Sequence, residues 1–281
     1  MGYSAFYMPD HFDDQLAPIA AMMAAADATE KLRIGSLVFD NDYRHPVVLA
    51  KEAATLDLLS DGRLDLGLGA GWQTSDYEQS GIPFESPGKR IERLEEAIKI
   101  IKGILAGGSF SFTGQHYSIS GVEGYPLPVQ KPHPPILIGG GGRRILTLAA
   151  READIVHINY NLSEGQVNPA LVSTGRAANT DEKLGWVKAA AGDRFDHIEL
   201  AATMFFTAVT NDRQALAHAV APRLELDPDE ILEMPHFLIG TVEQIAEDIQ
   251  ARRERFGLSF IVVQGEAAED LAPVVQRLAG T

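Results

Sequence analysis

Short β-branched or aromatic runs alternate with longer helical stretches along almost the whole chain. That alternation predicts βαβ units, a parallel sheet and so an α/β fold. Strands are expected at 4–8, 32–38, 63–69, 136–138, 154–158, 199–209 and 259–263. Helices are expected between them at about 16–28, 46–60, 90–106, 143–151 and 181–191, then at 241–256 and 267–279. Seven parallel strands suit an open doubly wound sheet or a barrel one stave short of eight, and periodicity leaves both open.

Two helices carry the clearest local signals. Ile91, Leu94, Ile98, Ile101 and Leu105 follow 3-4-3-4 spacing on one face. Glu92 and Glu96 lie opposite, and Glu95 stands one turn before Lys99, the favourable order for an ion pair. Thr241-Val-Glu-Gln244 reads as a capping box, opening a helix with Val242, Ile245, Ile249 and Phe256 inward and Gly257 as its stop. Residues 109–134 break the rhythm with a hairpin excursion and a proline-rich connector. Residues 159–180 read as a long loop, and 212–237 as irregular helix. A chain of 281 residues fits a single α/β barrel domain.

Charge and composition narrow the function. The chain carries 24 basic and 39 acidic residues, a net charge of −15. That sign disfavours nucleic acid and anionic membrane surfaces as partners, because both are held by Lys and Arg. The absence of cysteine excludes disulfides, thiolate catalysis and Cys-ligated metal centres. The eight histidines show no ligand spacing, so no metal site is expected. The amino terminus lacks the pattern of a signal peptide, and no apolar run reaches membrane-spanning length. A cytoplasmic protein acting on a small-molecule substrate is the expectation.

In parallel α/β folds, function collects where strands hand over to helices. Gly139, Gly140, Gly141 and Gly142, followed by Arg143, lie at such a point. Glycines let backbone N–H groups approach an anion, a helix start adds its dipole, and an arginine adds a charged contact. A tight turn needing positive φ is the plainer alternative. Asp10 and His11 follow the first strand; His11 is placed to move a proton, and Asp10 to orient it or touch a cofactor. Simple capping by Asp10 is the alternative. Gly67-Leu-Gly-Ala-Gly71-Trp72 lacks the third glycine of a dinucleotide fingerprint. Gly71 there permits close approach of a flat ligand, and Trp72 suits a pocket wall, although a close-packed turn is an equal reading. His157 and Asn159 follow another strand and are candidates for the substrate pocket.

Several of these segments together resemble the luciferase-like monooxygenase family, and most closely its deazaflavin-dependent branch. The carriers are Pro9-Asp-His-Phe12, Arg44-His-Pro46, Leu56-Asp-Leu-Leu-Ser-Asp-Gly-Arg63, Gly67-Leu-Gly-Ala-Gly-Trp72, Pro134-Pro-Ile-Leu-Ile-Gly-Gly-Gly-Gly142 and Ala149-Ala-Arg-Glu-Ala-Asp154. The resemblance implies a TIM (β/α)₈-type barrel and hydride transfer between coenzyme F420, a 5-deazaflavin, and a small organic substrate. FMN-dependent monooxygenation is the alternative, and a non-catalytic flavin-binding protein a further one. It also implies that Asp10 contacts the cofactor and His11 is catalytic. Ser36, Leu37 and Val38 fall where relatives carry a bulge with a non-prolyl cis peptide behind the ring, and 139–143 match the phosphate-binding turn. The 159–180 loop matches the variable region over the substrate, and a homodimer is common among relatives. Two departures stand out. The first β/α unit of the family pattern is absent before Met1, and Trp72 occupies the place of the glutamate acid found in sugar-phosphate-oxidising relatives.

Overall fold

The structure, a computed structural model, describes residues 1–166 and 168–279. Its elements, in chain order, begin with β1 (Ala5–Met8), α1 (Pro18–Asp27), β2 (Arg33–Ser36), β3 (Phe39–Asp40), α2 (Pro46–Leu59), β4 (Leu64–Gly69), α3 (Thr74–Ser80) and α4 (Pro87–Leu105). There follow β5 (Ser109–Thr113), β6 (Ser118–Glu123), β7 (Ile136–Gly140), α5 (Arg143–Glu152), β8 (Ile155–Ile158), α6 (Pro169–Ser173) and α7 (Ala177–Ala191). The last are β9 (Glu199–Met204), β10 (Phe206–Val209), α8 (Arg213–Leu224), α9 (Pro228–Glu233), β11 (Phe237–Gly240), α10 (Val242–Phe256), β12 (Leu258–Val263) and α11 (Ala272–Leu278). The contact pattern divides the chain into two compact units. The N-terminal unit comprises Ser4–Gly139 and Glu152–Asp154; the C-terminal unit comprises Met1–Tyr3, Gly140–Arg151 and Ile155–Thr281.

In the N-terminal unit the strands run in parallel in the order β1-β2-β4-β7, with β3 also pairing β4. Leu64, Leu66, Leu68, Ile136, Leu137 and Ile138 are buried, as strands covered on both faces require. Leu94, Ile98, Ile101 and Leu105 of α4 are at most 1% exposed and Ile91 is half-buried, so four of the five positions read from spacing lie on the face that packs. Glu95 and Lys99 form the expected ion pair at 2.8 Å. The excursion contains an antiparallel hairpin, β5-β6, held to α4 by the Glu96 carboxylate. That carboxylate accepts the backbone N–H groups of Gln115, His116 and Tyr117.

In the C-terminal unit β8, β9 and β12 are parallel neighbours, while β10 and β11 pair separately. Three expectations need correction here. The strand expected at 199–209 is two strands, broken at Phe205, whose N–H goes to the His236 carbonyl. The irregular helix expected at 212–237 is α8 and α9 followed by the start of β11. Pro222 inside α8 and the left-handed Glu225 at its end (φ 56°) explain the irregularity. Phe237-Leu-Ile-Gly240 was too short an apolar run to be separated from helix by periodicity. The loop expected at 159–180 contains a 3₁₀ turn (Leu162–Glu164) and α6, and α7 begins at Ala177. Val167, within that stretch, lies outside the described residues.

The Thr241 capping box is present in both directions: Gln244 N–H donates to Thr241 Oγ1 at 3.3 Å, and Thr241 N–H to Gln244 Oε1 at 3.0 Å. Among the described residues no helix is long and apolar enough to cross a membrane.

Candidate functional site

β1 ends at Met8 and delivers Asp10 and His11 to its carboxyl end. His11 Nδ1 lies 2.7 Å from Asp76 Oδ2. Asp76 sits in the first turn of α3, 1% exposed, where a negative charge is favoured by the helix dipole. Tyr43 Oη lies 3.1 Å from the same oxygen, and Gln73 Nε2 donates to Oδ1 at 3.0 Å. Burial, then the nearby Asp40 and Asp76 charges, keeps the Tyr43 hydroxyl protonated far above its ordinary range, so Tyr43 donates to Asp76. The carboxylate therefore draws the imidazole N–H to Nδ1, and among the described residues Nε2 has no hydrogen-bond partner. The His11 side chain is 22% exposed, and the Trp72 ring meets it edge-on at 5.7 Å.

Asp10 has a different task from orienting His11. It is 5% exposed and forms a two-pronged pair with Arg44, one prong at 3.2 Å. It also accepts the Asp40 N–H at 3.1 Å. Its carboxylate fastens the 40–44 segment to the end of β1, and the residue that orients His11 is Asp76.

Beside this dyad lies a buried acid. Tyr77 Oη contacts both Asp40 Oδ2 at 3.0 Å and Asp42 Oδ2 at 3.1 Å. One hydroxyl carries one proton, so a second proton is needed to satisfy both contacts. Asp42 is already paired with Arg93 at 2.6 Å and is the natural carboxylate. Asp40 is the natural acid: burial above all, with Asp42 and Asp10 adding to it, pushes its pKa up to about 7.

The glycines at the end of β4 give their missing side chains to protein packing. A Cβ on Gly67 would overlap the Ser36 carbonyl, on Gly69 Val38, and on Gly71 the Tyr77 hydroxyl and Asp40. Gly71 also has φ 75°, which a Cβ would strain. Ser36 is fully buried and donates from Oγ to the Gly67 carbonyl at 2.8 Å. The Leu37–Val38 peptide bond is cis, and both residues are half-buried.

In the C-terminal unit, Gly140 closes β7 and Gly141-Gly142 turn directly into α5, whose first residue, Arg143, is exposed. First-turn N–H groups have no acceptor within their own helix. Gly141 is needed for close approach: a Cβ there would overlap the Tyr160 carbonyl. Gly139, one residue earlier in β7, belongs to the N-terminal unit. Asn159 caps its own neighbourhood, its Oδ1 accepting the Tyr160 N–H at 2.7 Å. His157 is 2% exposed, with Nε2 2.9 Å from Thr203 Oγ1, and burial pushes its pKa down to about 4. It therefore packs in the interior of its unit as a neutral ring. His236 is its counterpart, its Nδ1 donating to the Thr203 carbonyl at 3.0 Å and its pKa pushed down by burial to about 3.

Sequence reasoning missed Asp76 and Tyr43, and it gave Arg44, part of the Arg44-His-Pro46 motif, no role of its own. For Asp76 a signal was present: an acid in the first turn of a short helix immediately after the Gly67–Trp72 strand end.

In each unit parallel strands alternate with helices, and His11 stands just past the end of β1, an arrangement of the α/β class. The profile of the luciferase-like monooxygenases matches residues 1–259, and the chain belongs to that family. An FMNH(2)-dependent dimethylsulfone monooxygenase of Pseudomonas putida is 33% identical over 153 residues, 54% of this chain and 42% of that protein. An F420-dependent glucose-6-phosphate dehydrogenase of Amycolatopsis mediterranei is 32% identical over 162 residues, 55% of this chain and 48% of that protein. The chain thus spans about half the length of the curated relatives it matches. Among solved structures, an F420-dependent secondary alcohol dehydrogenase in complex with an F420-acetone adduct superposes with a TM-score of 0.75 at 19% identity. The match covers 100% of this chain and 91% of that one, and it shows a shared fold.

Proposed function

We propose that the protein transfers a hydride between coenzyme F420 and a small organic substrate, with His11 exchanging the accompanying proton. The observation that carries this reading is the His11–Asp76 pair, which occupies Nδ1 and leaves Nε2 without a hydrogen-bond partner among the described residues, with the Trp72 ring edge-on to the imidazole. Each unit, taken by itself, offers one feature that suits part of such a cofactor. The turn at Gly140–Arg143 brings glycine backbone and a helix start together, which suits a tail phosphate. The half-buried Leu37, Val38 and Trp72 offer apolar surface for a flat ring. When bound, such a ring supplies the hydride-carrying carbon; the protein supplies orientation and proton handling.

His11 does the second of these. With Asp76 holding Nδ1–H, the neutral ring accepts a proton at Nε2, and the resulting imidazolium is stabilised by the Asp76 carboxylate. Tyr43 and Gln73 keep that carboxylate from rotating away.

FMN-dependent monooxygenation is the second reading, favoured by the similarity to the dimethylsulfone monooxygenase. Anaerobic titration with coenzyme F420 and with FMN, each oxidised and reduced, tests both. Saturable spectral change with F420 and turnover without oxygen supports the first reading. Binding of FMN alone, with oxygen-dependent turnover, replaces it with the second. Binding of neither defeats both.

A further inference from the structure

Lys183 is a cation in the interior of the C-terminal unit. It lies on α7, 3% exposed, and its Nζ donates to the Asn159 carbonyl at 2.7 Å and the Thr174 carbonyl at 2.8 Å. Burying an ammonium is costly, and a Met or Leu would fill the same volume without that cost. The charge is therefore informative. Burial pushes its pKa down to about 8.

The two carbonyls stand at the ends of one stretch of chain. Asn159 follows β8 and Thr174 follows α6, and Asn161 N–H ties the same two stems again through Thr174 Oγ1 at 2.9 Å. The Asn159 peptide is also the surface on which the glycine turn rests. Its N–H donates to the Gly140 carbonyl at 2.9 Å, and the Asn159 and Tyr160 carbonyls stand where a Gly141 Cβ would be. Lys183, Asn159 and Gly140–Gly141 thus form one continuous chain of contacts leading into the first turn of α5.

We propose that Lys183 is a positioning residue for anion binding: its ammonium clamps the two stems following β8 and α6, holds the Asn159–Tyr160 peptide against Gly141, and so sets the Gly140–Arg143 amides for a phosphate. This rests on the reading of that turn as the site of a cofactor's tail phosphate. The clamp itself does not, so the two are tested separately.

The test uses Lys183→Met in the full chain. Amide hydrogen exchange is followed at Gly140–Arg143, Asn159–Asn161 and Leu171–Gly175. Equilibrium binding is measured for FMN against riboflavin, and for coenzyme F420 against its phosphate-free deazariboflavin. Exchange at these amides is expected to quicken about tenfold or more. Affinity for the phosphate-bearing ring that wild type binds is expected to fall about tenfold, with the phosphate-free ring unaffected, a split that general loosening does not produce. Unchanged exchange, or equal weakening of both forms, overturns the proposal. Lack of binding of all four compounds by wild type defeats the proposed function and the phosphate part with it, while exchange still decides the clamp. If Lys183→Met does not fold, Thr174→Val, which cuts the second tie between the stems, is measured in its place with the same criteria.

Discussion

His11 and Asp76 lie 65 positions apart in the chain, and their side chains meet at 2.7 Å. The carboxylate decides which imidazole nitrogen carries the proton in the neutral ring. In Asp76→Asn the amide has one face that accepts and one that donates, so the ring is no longer held in one tautomer. Turnover should fall about tenfold to a thousandfold, while the affinity for the redox ring stays near wild type. Steady-state kinetics beside equilibrium binding checks this. An equal loss in both would assign Asp76 to cofactor binding.

Asp40 predicts how stability depends on pH. Its folded pKa, raised by burial to about 7, stands well above the ordinary value of 3.8. Below 3.8 both folded and unfolded chains hold the proton. Between 3.8 and 7 only the folded chain holds it, so this contribution is lost as pH rises through that window. The loss is on the order of 4 kcal/mol. Denaturant titrations at several pH values should show the decline in wild type and its absence in Asp40→Asn.

The buried histidines act in the opposite direction. His157 and His236 are neutral in the fold, with pKa values pushed down by burial to about 4 and about 3. Their unfolded forms take up protons near 6.5, so their contribution is complete above 6.5 and is lost as pH falls toward 4 and 3. His157→Gln should flatten the acid side of the stability profile by roughly 3 kcal/mol between pH 6.5 and pH 4. Its own cost near neutrality should be about 1–2 kcal/mol. An acid limb identical to wild type would count against a neutral His157.

Gly141 tests the turn. Ala at this position drives a methyl into the Tyr160 carbonyl, and backbone yields less readily than a side chain. Gly141→Ala should cost about 1–3 kcal/mol in thermal or denaturant unfolding. It should also remove the preference for phosphate-bearing over phosphate-free rings. Retention of that preference would separate the turn from phosphate binding.

The legible parts of the sequence were those where one local rule decides. Helix α4 was readable because its buried stripe repeats with the helical period, and α10 because Thr241 and Gln244 cap it reciprocally. The Leu37–Val38 cis peptide was reachable only through family resemblance, since no residue type there dictates it. His11 stood out at a strand end, but its partner did not: Asp76 is local to α3, and only the tertiary fold brings it to β1. The same holds for Asp10, which reads from sequence as a group that orients His11 or touches a cofactor; its ion pair with Arg44 is set by the tertiary fold. Strand β11 was hidden because a four-residue apolar run fits a buried helix as well as a strand, whereas β10 was read as the end of a single strand over 199–209. Lys183 gave no signal, because a lysine on a helix reads as a solvent-facing residue until its burial is known.

The most direct test of the central claim is the single-turnover rate of His11→Ala loaded with the cofactor that wild type binds. The account predicts a rate about a hundredfold or more below wild type, with cofactor affinity and unfolding midpoint little changed. A rate equal to wild type would contradict it and remove His11 from the chemistry.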